Sequence, residues 1–447
     1  MDYQYCKLKH GTRLLTIPRK ESNSTHIAFF VKVGSKDEVE GEFGMAHFLE
    51  HMLFKGNKKL STQLRITKKL DRLGSDYNAY TSKDTTCYHI SVASKYAATA
   101  FTTYSNMLLH STLERKKMKR EQRVVVEEYN KMVDNVMRYA TENVFQLIFK
   151  DTILGRPTIG YVPSIMALTH TTLNNFYRKY YKKSNMLIVL SGSIPKDLLT
   201  KVYGIYGRKT REKIDTIKTQ PKLKKGIHYP IDFGTPRELD IILHKCPSKC
   251  NVICLDKRNE VKQSNIIVAY KINGIYNDDN YVLKLIGQYL GGGMSSVLFQ
   301  KIRTRSGLAY TVTCDIELYE EGGVFMIYAG TDGVNCHEVV KKILEEVNRV
   351  CKKLLKKSDI KVCLDTLTGR LQLEEENGMN VGLEYGSRAL FNAEIHTNKK
   401  LTNDIFTTKN MTPKKIKTIA NKYLTSKNLY VSIVGNHPKN FIKKLLK

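Results

Sequence analysis

Two histidines and a glutamate stand at His47, Glu50 and His51, in the pattern H-x-x-E-H. Residues four apart on an α-helix lie nearly one above the other. His47 and His51 can therefore direct two imidazoles at one ion. Glu50 precedes His51 by one position and falls beside them, within reach of a water held at that ion. A catalytic zinc takes three protein ligands and keeps a fourth position open. It brings the pKa of a bound water to about 7, where a carboxylate can accept the proton. Phe48, Leu49, Met52, Leu53 and Phe54 surround the motif, so the helix is expected to be largely buried. Imidazoles and a carboxylate in a buried helix need partners, and a metal ion supplies one. The third ligand has to come from elsewhere. Residues 120–135, REQRVVVEEYNKMVDN, offer Glu121, Glu127 and Glu128. Glu121 and Glu128 are seven apart and share a helix face, while Glu127 lies about 100° away. Periodicity alone does not choose among them.

The surrounding elements follow from apolar spacing and turn residues. Lys7–Pro18 and His26–Val33 alternate as strands. A helix opens near Gly41–Met45 and stops at Gly56. Gln63–Leu73 reads as a second helix, and YNAYTS and TCYHISV (residues 77–82 and 86–92) as a strand pair. Tyr96–Leu109 is helical, and a long helical zone runs from about Leu113 to Lys150. Leu187–Leu190 is a short buried strand. The stretch 207–229, rich in Lys, Arg and Thr, is the best linker candidate. Beyond it the order repeats: a strand at Ser264–Ile272, a helix at Tyr281–Leu290, strands at Gly322–Gly330 and Leu429–Gly435, and helices through Val339–Lys356 and Val362–Leu373. The expected fold class is α+β. Two homologous halves each carry a mostly antiparallel sheet with helices packed on one side. The boundaries are 1–206 for the half with the metal motif, 207–229 for the linker and 230–447 for the half without it.

The composition of 41% hydrophobic and 26% charged residues is that of an ordinary globular chain. The net charge of +30 favours acidic partners. Its cations are spread along the whole chain without an RRM, KH or helix-turn-helix signature, so no specific nucleic-acid partner is expected. Nine cysteines at irregular spacing read as a reducing compartment and not a disulfide framework. His244, Cys246, Cys250 and Cys254 lack zinc-ribbon spacing, and burial of Cys254 in a strand is the simpler reading. No apolar run approaches the length of a membrane span, and no signal or transit pattern is seen at the N-terminus. Cytoplasmic placement is the resulting expectation.

The H-x-x-E-H pattern is the inverted zincin signature, and GMAHFLEHMLFKG resembles the active-site helix of the insulinase, pitrilysin and mitochondrial processing peptidase family. LGSDYNAYTSKDTTCY, LGRPTIGYVPSI, FYRKYYKKSNMLIVLSG and GGGMSSVLFQKIRTRSGLAYTV are similar to further blocks of that family. The resemblance implies a zinc endopeptidase with one Zn2+ per chain, held by His47, His51 and Glu128, with Glu50 as base. Glu121 then matches an accessory acid that orients the ligands. Asn78 and Ala79 fall on an edge strand that docks extended peptide or unfolded-protein substrates. Arg303 and Tyr310 match residues that anchor the substrate backbone and donate to the oxyanion. The family also implies a clamshell built from two such chains, as a homodimer or a heterodimer with a related chain. A non-catalytic subunit with a structural or substrate-binding role is the alternative, since such members commonly lose zinc ligands.

Overall fold

The computed structural model describes residues 2–226, 252–258 and 260–437. His244, Cys246 and Cys250 lie outside the described residues, as do linker positions 227–229. The first expected strand is a hairpin, because Gly11 with φ +85° turns the chain. Gln4–Lys7 (β1) and Arg13–Pro18 (β2) pair antiparallel across it. Ser24–Val31 (β3), Asp76–Thr81 (β4), Thr86–Ala93 (β5) and Met186–Gly192 (β6) complete a six-stranded sheet in the order β1-β2-β6-β3-β5-β4. β4 is thus an edge. β2 and β6 run parallel, and the other pairs of this sheet are antiparallel.

Helices Met45–Leu53 (α1), Gln63–Asp71 (α2) and Ala97–Leu109 (α3) follow the apolar spacing closely. The long helical zone divides into Arg115–Asp134 (α4) and Val136–Ile148 (α5). The break is at Asn135, whose extended backbone lets its side chain accept the Arg138 N–H at 3.0 Å. Asparagine is a strong N-cap, so it starts a new helix there. Val162–Ala167 (α6), His170–Tyr180 (α7) and Lys196–Tyr206 (α8) come next. A second sheet holds Val252–Lys257 (β7), Gln263–Ile272 (β8), Ala309–Leu318 (β9), Gly323–Asp332 (β10) and Leu429–Gly435 (β11), in the order β7-β11-β8-β10-β9. Asp279–Gly291 (α9), Cys336–Lys352 (α10), Lys357–Glu376 (α11) and Gly378–Leu390 (α12) are its neighbours in sequence. The class is α+β, with two sheets of like design. No helix among the described residues is long and apolar enough to cross a membrane.

The chain forms two compact units, and neither is one continuous stretch. Met1–Tyr129, Arg156–Lys218 and Leu371–Lys399 make the first; Asn130–Gly155, Thr219–Arg370 and Lys400–Lys447 make the second. One passage between them, at Lys218–Thr219, lies inside the basic stretch 207–229. Contiguous halves 1–206 and 230–447 nevertheless do not describe the units, because each takes a helix from the other half of the sequence. An apolar sheet face has to be covered, and one cover in each unit comes from far along the chain. In the second unit α5 packs on β8 and β11. In the first, α3 covers one face, with Phe101 and Tyr104 stacked on Phe29 at 5.2 and 6.1 Å. α12 covers the other. Gly378, Gly382 and Gly386, four apart, turn one face of α12 to β3 and β6; a Cβ at Gly386 would run into the Phe30 ring. Glycine here permits close approach of the helix to the sheet.

Candidate metal centre

α1 is fixed by its own apolar face. Met45, Ala46, Phe48, Leu49, Met52 and Leu53 are completely buried. At about 1.5–3 kcal/mol for burying each large side chain, this anchors the helix firmly. The remaining face carries His47 and His51, both half-buried. The helix begins at Gly44, whose φ of +85° and close approach to the Ile159 carbonyl exclude a side chain. Glu38 caps this start: its two carboxyl oxygens accept the Gly44 and Ala46 N–H groups, each at 2.9 Å. Burial pushes the Glu38 carboxyl well above its usual range. Arg156, itself buried, donates to the Lys36 carbonyl at 2.8 Å and also to the Glu38 carbonyl.

α4 brings the acids. Met118, Val125, Tyr129 and Met132 bury its apolar stripe. Glu121 and Glu128, one heptad apart, both reach the histidines, whereas Glu127 is exposed. Glu128 Oε2 lies 3.6 Å from His47 Nε2 and 3.3 Å from His51 Nε2. Glu121 Oε1 is 2.8 Å from His51 Nδ1, and its Oε2 is 2.6 Å from Lys55 Nζ. This bond places a proton on Nδ1 and so turns the Nε2 lone pair toward the shared centre, provided His51 is neutral. In the metal-free protein His51 competes for a second proton. Burial opposes that charge, but the bonds to Glu121 and Glu128 outweigh it and raise the pKa to about 9.

One donor each from His47, His51 and Glu128 lie within 4.8 Å of one another. Tetrahedral zinc, with ligands at about 2.0–2.1 Å, spaces its donors about 3.3–3.4 Å apart. The two Nε2–Oε2 separations, 3.6 and 3.3 Å, lie near that spacing, and two imidazoles with one carboxylate is a donor set of catalytic zinc. The site therefore fits the ion.

Glu50 is 9% exposed and accepts a hydrogen bond from Thr81 Oγ1 at 2.6 Å. Burial pushes its carboxyl up to about 7; the Thr81 bond and the nearby His51 work against that rise, and Glu128 adds to it. A carboxylate tuned near neutrality is suited to taking and returning a proton. Thr81 ends β4, the edge strand bearing Asn78 and Ala79. Asn78 Oδ1 accepts the Ala79 N–H at 2.9 Å, and the pair stands opposite His89 and Tyr88 of β5.

Arg303 and Tyr310 belong to the second unit. The Arg303 guanidinium lies 4.7 Å from the ring centroids of both Phe299 and Tyr310, within cation–π range. Tyr310, the second residue of β9, is 71% exposed. Sequence reasoning had not singled out Thr81, Lys55, Glu38 or Arg156. Lys55 was findable, since it lies four residues after His51 and so continues the same helix face.

Residues 13–161 match the model of the insulinase family, peptidase family M16, and residues 167–367 match the model of the peptidase M16 inactive domain. The chain belongs to the insulinase family. Among its relatives is a protein of Rickettsia bellii described as an uncharacterized zinc protease, 28% identical over 84% of both chains. Another so described, from Bacillus subtilis, is 25% identical over 89% of this chain and 90% of its own. In fold, the chain is similar to a protease from Helicobacter pylori, with a TM-score of 0.81 at 18% identity over 98% of this chain and 99% of that one. The match to the inactive-domain model falls on the part of the sequence without H-x-x-E-H.

Proposed function

We propose that the protein is a zinc-dependent endopeptidase that cuts extended or unfolded peptides, with one zinc per chain. The observation that carries this reading is the convergence of His47 Nε2, His51 Nε2 and Glu128 Oε2 beside a buried Glu50. A zinc ion held there would polarise the scissile carbonyl and bring the pKa of water near neutrality. The chain's own residues do the rest. β4 offers its edge to a peptide backbone, which adds as a further strand through hydrogen bonds that ignore sequence. Glu50 takes the proton of the attacking water and returns it to the leaving amine. Glu121 holds the His51 ring in its ligating tautomer. Arg303 and Tyr310 serve a substrate through its backbone and its oxyanion, in a dimer with a second copy or a related chain. The intact donor set weighs against the alternative of a non-catalytic subunit.

The test is elemental analysis of the folded protein together with cleavage of a quenched fluorescent peptide library, with and without chelator. The expected result is about one zinc per chain and cleavage that the chelator stops. Absence of zinc from a folded sample after attempted reloading would overturn the reading.

A further inference from the structure

The two parallel strands of the first sheet end side by side, at Pro18 and Gly192. This is the one parallel pair in the sheet. A cleft of about 320 Å3 lies at this place, at the small end of ligand-binding pockets. Arg19 and Lys20, which follow β2, and Lys209, beyond α8, bring three cations to its lining; among the described residues no aspartate or glutamate lines it. Two of the three are held in place. Arg19 Nη1 donates to the Glu376 carbonyl at 2.9 Å, and Lys209 Nζ to Gln4 Oε1 at 3.2 Å. The lining also has apolar members, Pro18, Ile194, and Leu199 with Tyr203 one turn apart on α8, together with the neutral polar Gln4, Thr16 and Ser193.

Three cations in one lining with these apolar residues select a ligand with one anionic end and one greasy end. A phosphate or sulfate leaves the apolar residues unused, and a neutral hydrocarbon leaves the cations uncompensated. We propose that this cleft is a second binding site, for a carboxylate carried on an apolar chain. Two sources share that chemistry: a medium-chain fatty acid, and the free C-terminus of a short apolar peptide. The site is built from β2, β6 and α8 and uses none of the zinc ligands, so it stands apart from the proposed peptidase reaction.

The test is calorimetric titration of the zinc-loaded full chain carrying Glu50→Gln, so that peptides stay whole. The probes are octanoate, 1-octanol, and trileucine as free acid and as C-terminal amide. At least one acid is expected to saturate a single site per chain, about tenfold or more tighter than its neutral counterpart, and to weaken with added salt. Octanoate alone binding assigns the site to fatty acids, trileucine acid alone assigns it to peptide C-termini, and both binding supports the shared chemistry. Arg19→Ala combined with Lys20→Ala should weaken the acid at least tenfold while zinc content and Tm stay unchanged. Leu199→Ser, among the apolar lining residues, should weaken it independently. Acids that bind no better than octanol and the amide would overturn the proposal. So would binding that survives the Arg19 and Lys20 substitutions, because that signal would come from carboxylate at the zinc.

Discussion

Replacing Glu50 with glutamine separates the chemistry of this site from its cost in stability. An ordinary glutamate side chain titrates near 4.5, whereas the folded metal-free protein holds Glu50 near 7, chiefly through burial. A raised carboxyl pKa means that the folded state binds the proton more tightly than the unfolded state. Below pH 4.5 both states are protonated and the group costs nothing. Between 4.5 and 7 the unfolded chain releases the proton first, so stability falls as pH rises, and above 7 the full cost remains. Linkage puts that cost at about 1 kcal/mol at pH 5 and about 3 kcal/mol at pH 8. Glutamine keeps the shape, still accepts from Thr81, and does not ionise. The chelator-treated Glu50→Gln protein should therefore resist urea better than wild type by about 3 kcal/mol at pH 8 and by about 1 kcal/mol at pH 5. With zinc restored, it should keep the metal and lose hydrolysis. A stability gain that is the same at both pH values, or a loss at pH 8, would refute the assignment of Glu50 as a buried carboxyl held near neutrality. Cleavage at the wild-type rate would refute its role as the base.

Three further outcomes follow from the same geometry. Glu121→Ala removes the acceptor of His51 Nδ1, and zinc affinity measured by chelator competition should fall about 10- to 100-fold. Thr81→Val deletes a bond that lowers the Glu50 pKa; the acid limb of the kcat/KM profile should move to higher pH, with about a fivefold loss at pH 6 and little change at pH 9. Glu38→Ala leaves two buried N–H groups at the start of α1 without their acceptor and should cost about 2–5 kcal/mol in urea unfolding, with weaker zinc binding as the helix shifts.

The H-x-x-E-H helix was legible because its signal is local. Two histidines four apart and a run of apolar neighbours specify both a helix and its buried face. The partner glutamate was only half legible. Heptad spacing puts Glu121 and Glu128 together, but which face of α4 meets α1 is a tertiary fact, fixed by Met118, Val125 and Tyr129 packing inward. Glu38 and Thr81 were hidden for a related reason. Each acts across a turn or a sheet edge on a residue at least six positions away, and no periodicity records such a bond. The split of the long helical zone at Asn135 was within reach, since an asparagine before Val136 is a capping signal that the apolar pattern on both sides concealed. The exchanged helices were not, because α5 and α12 are each amphipathic in the ordinary way and nothing local says which sheet they cover.

That exchange also orders events during synthesis. Domains generally fold from the N-terminus as the chain leaves the ribosome, yet the sheet behind the H-x-x-E-H helix takes its second cover from Gly378–Leu390. The H-x-x-E-H helix emerges early, but the body that must hold it steady is incomplete until most of the chain has been translated. A nascent chain thus carries His47, His51 and Glu128 long before it carries the finished unit around them. Premature termination anywhere before α12 would leave the first sheet without the helix that covers this apolar face.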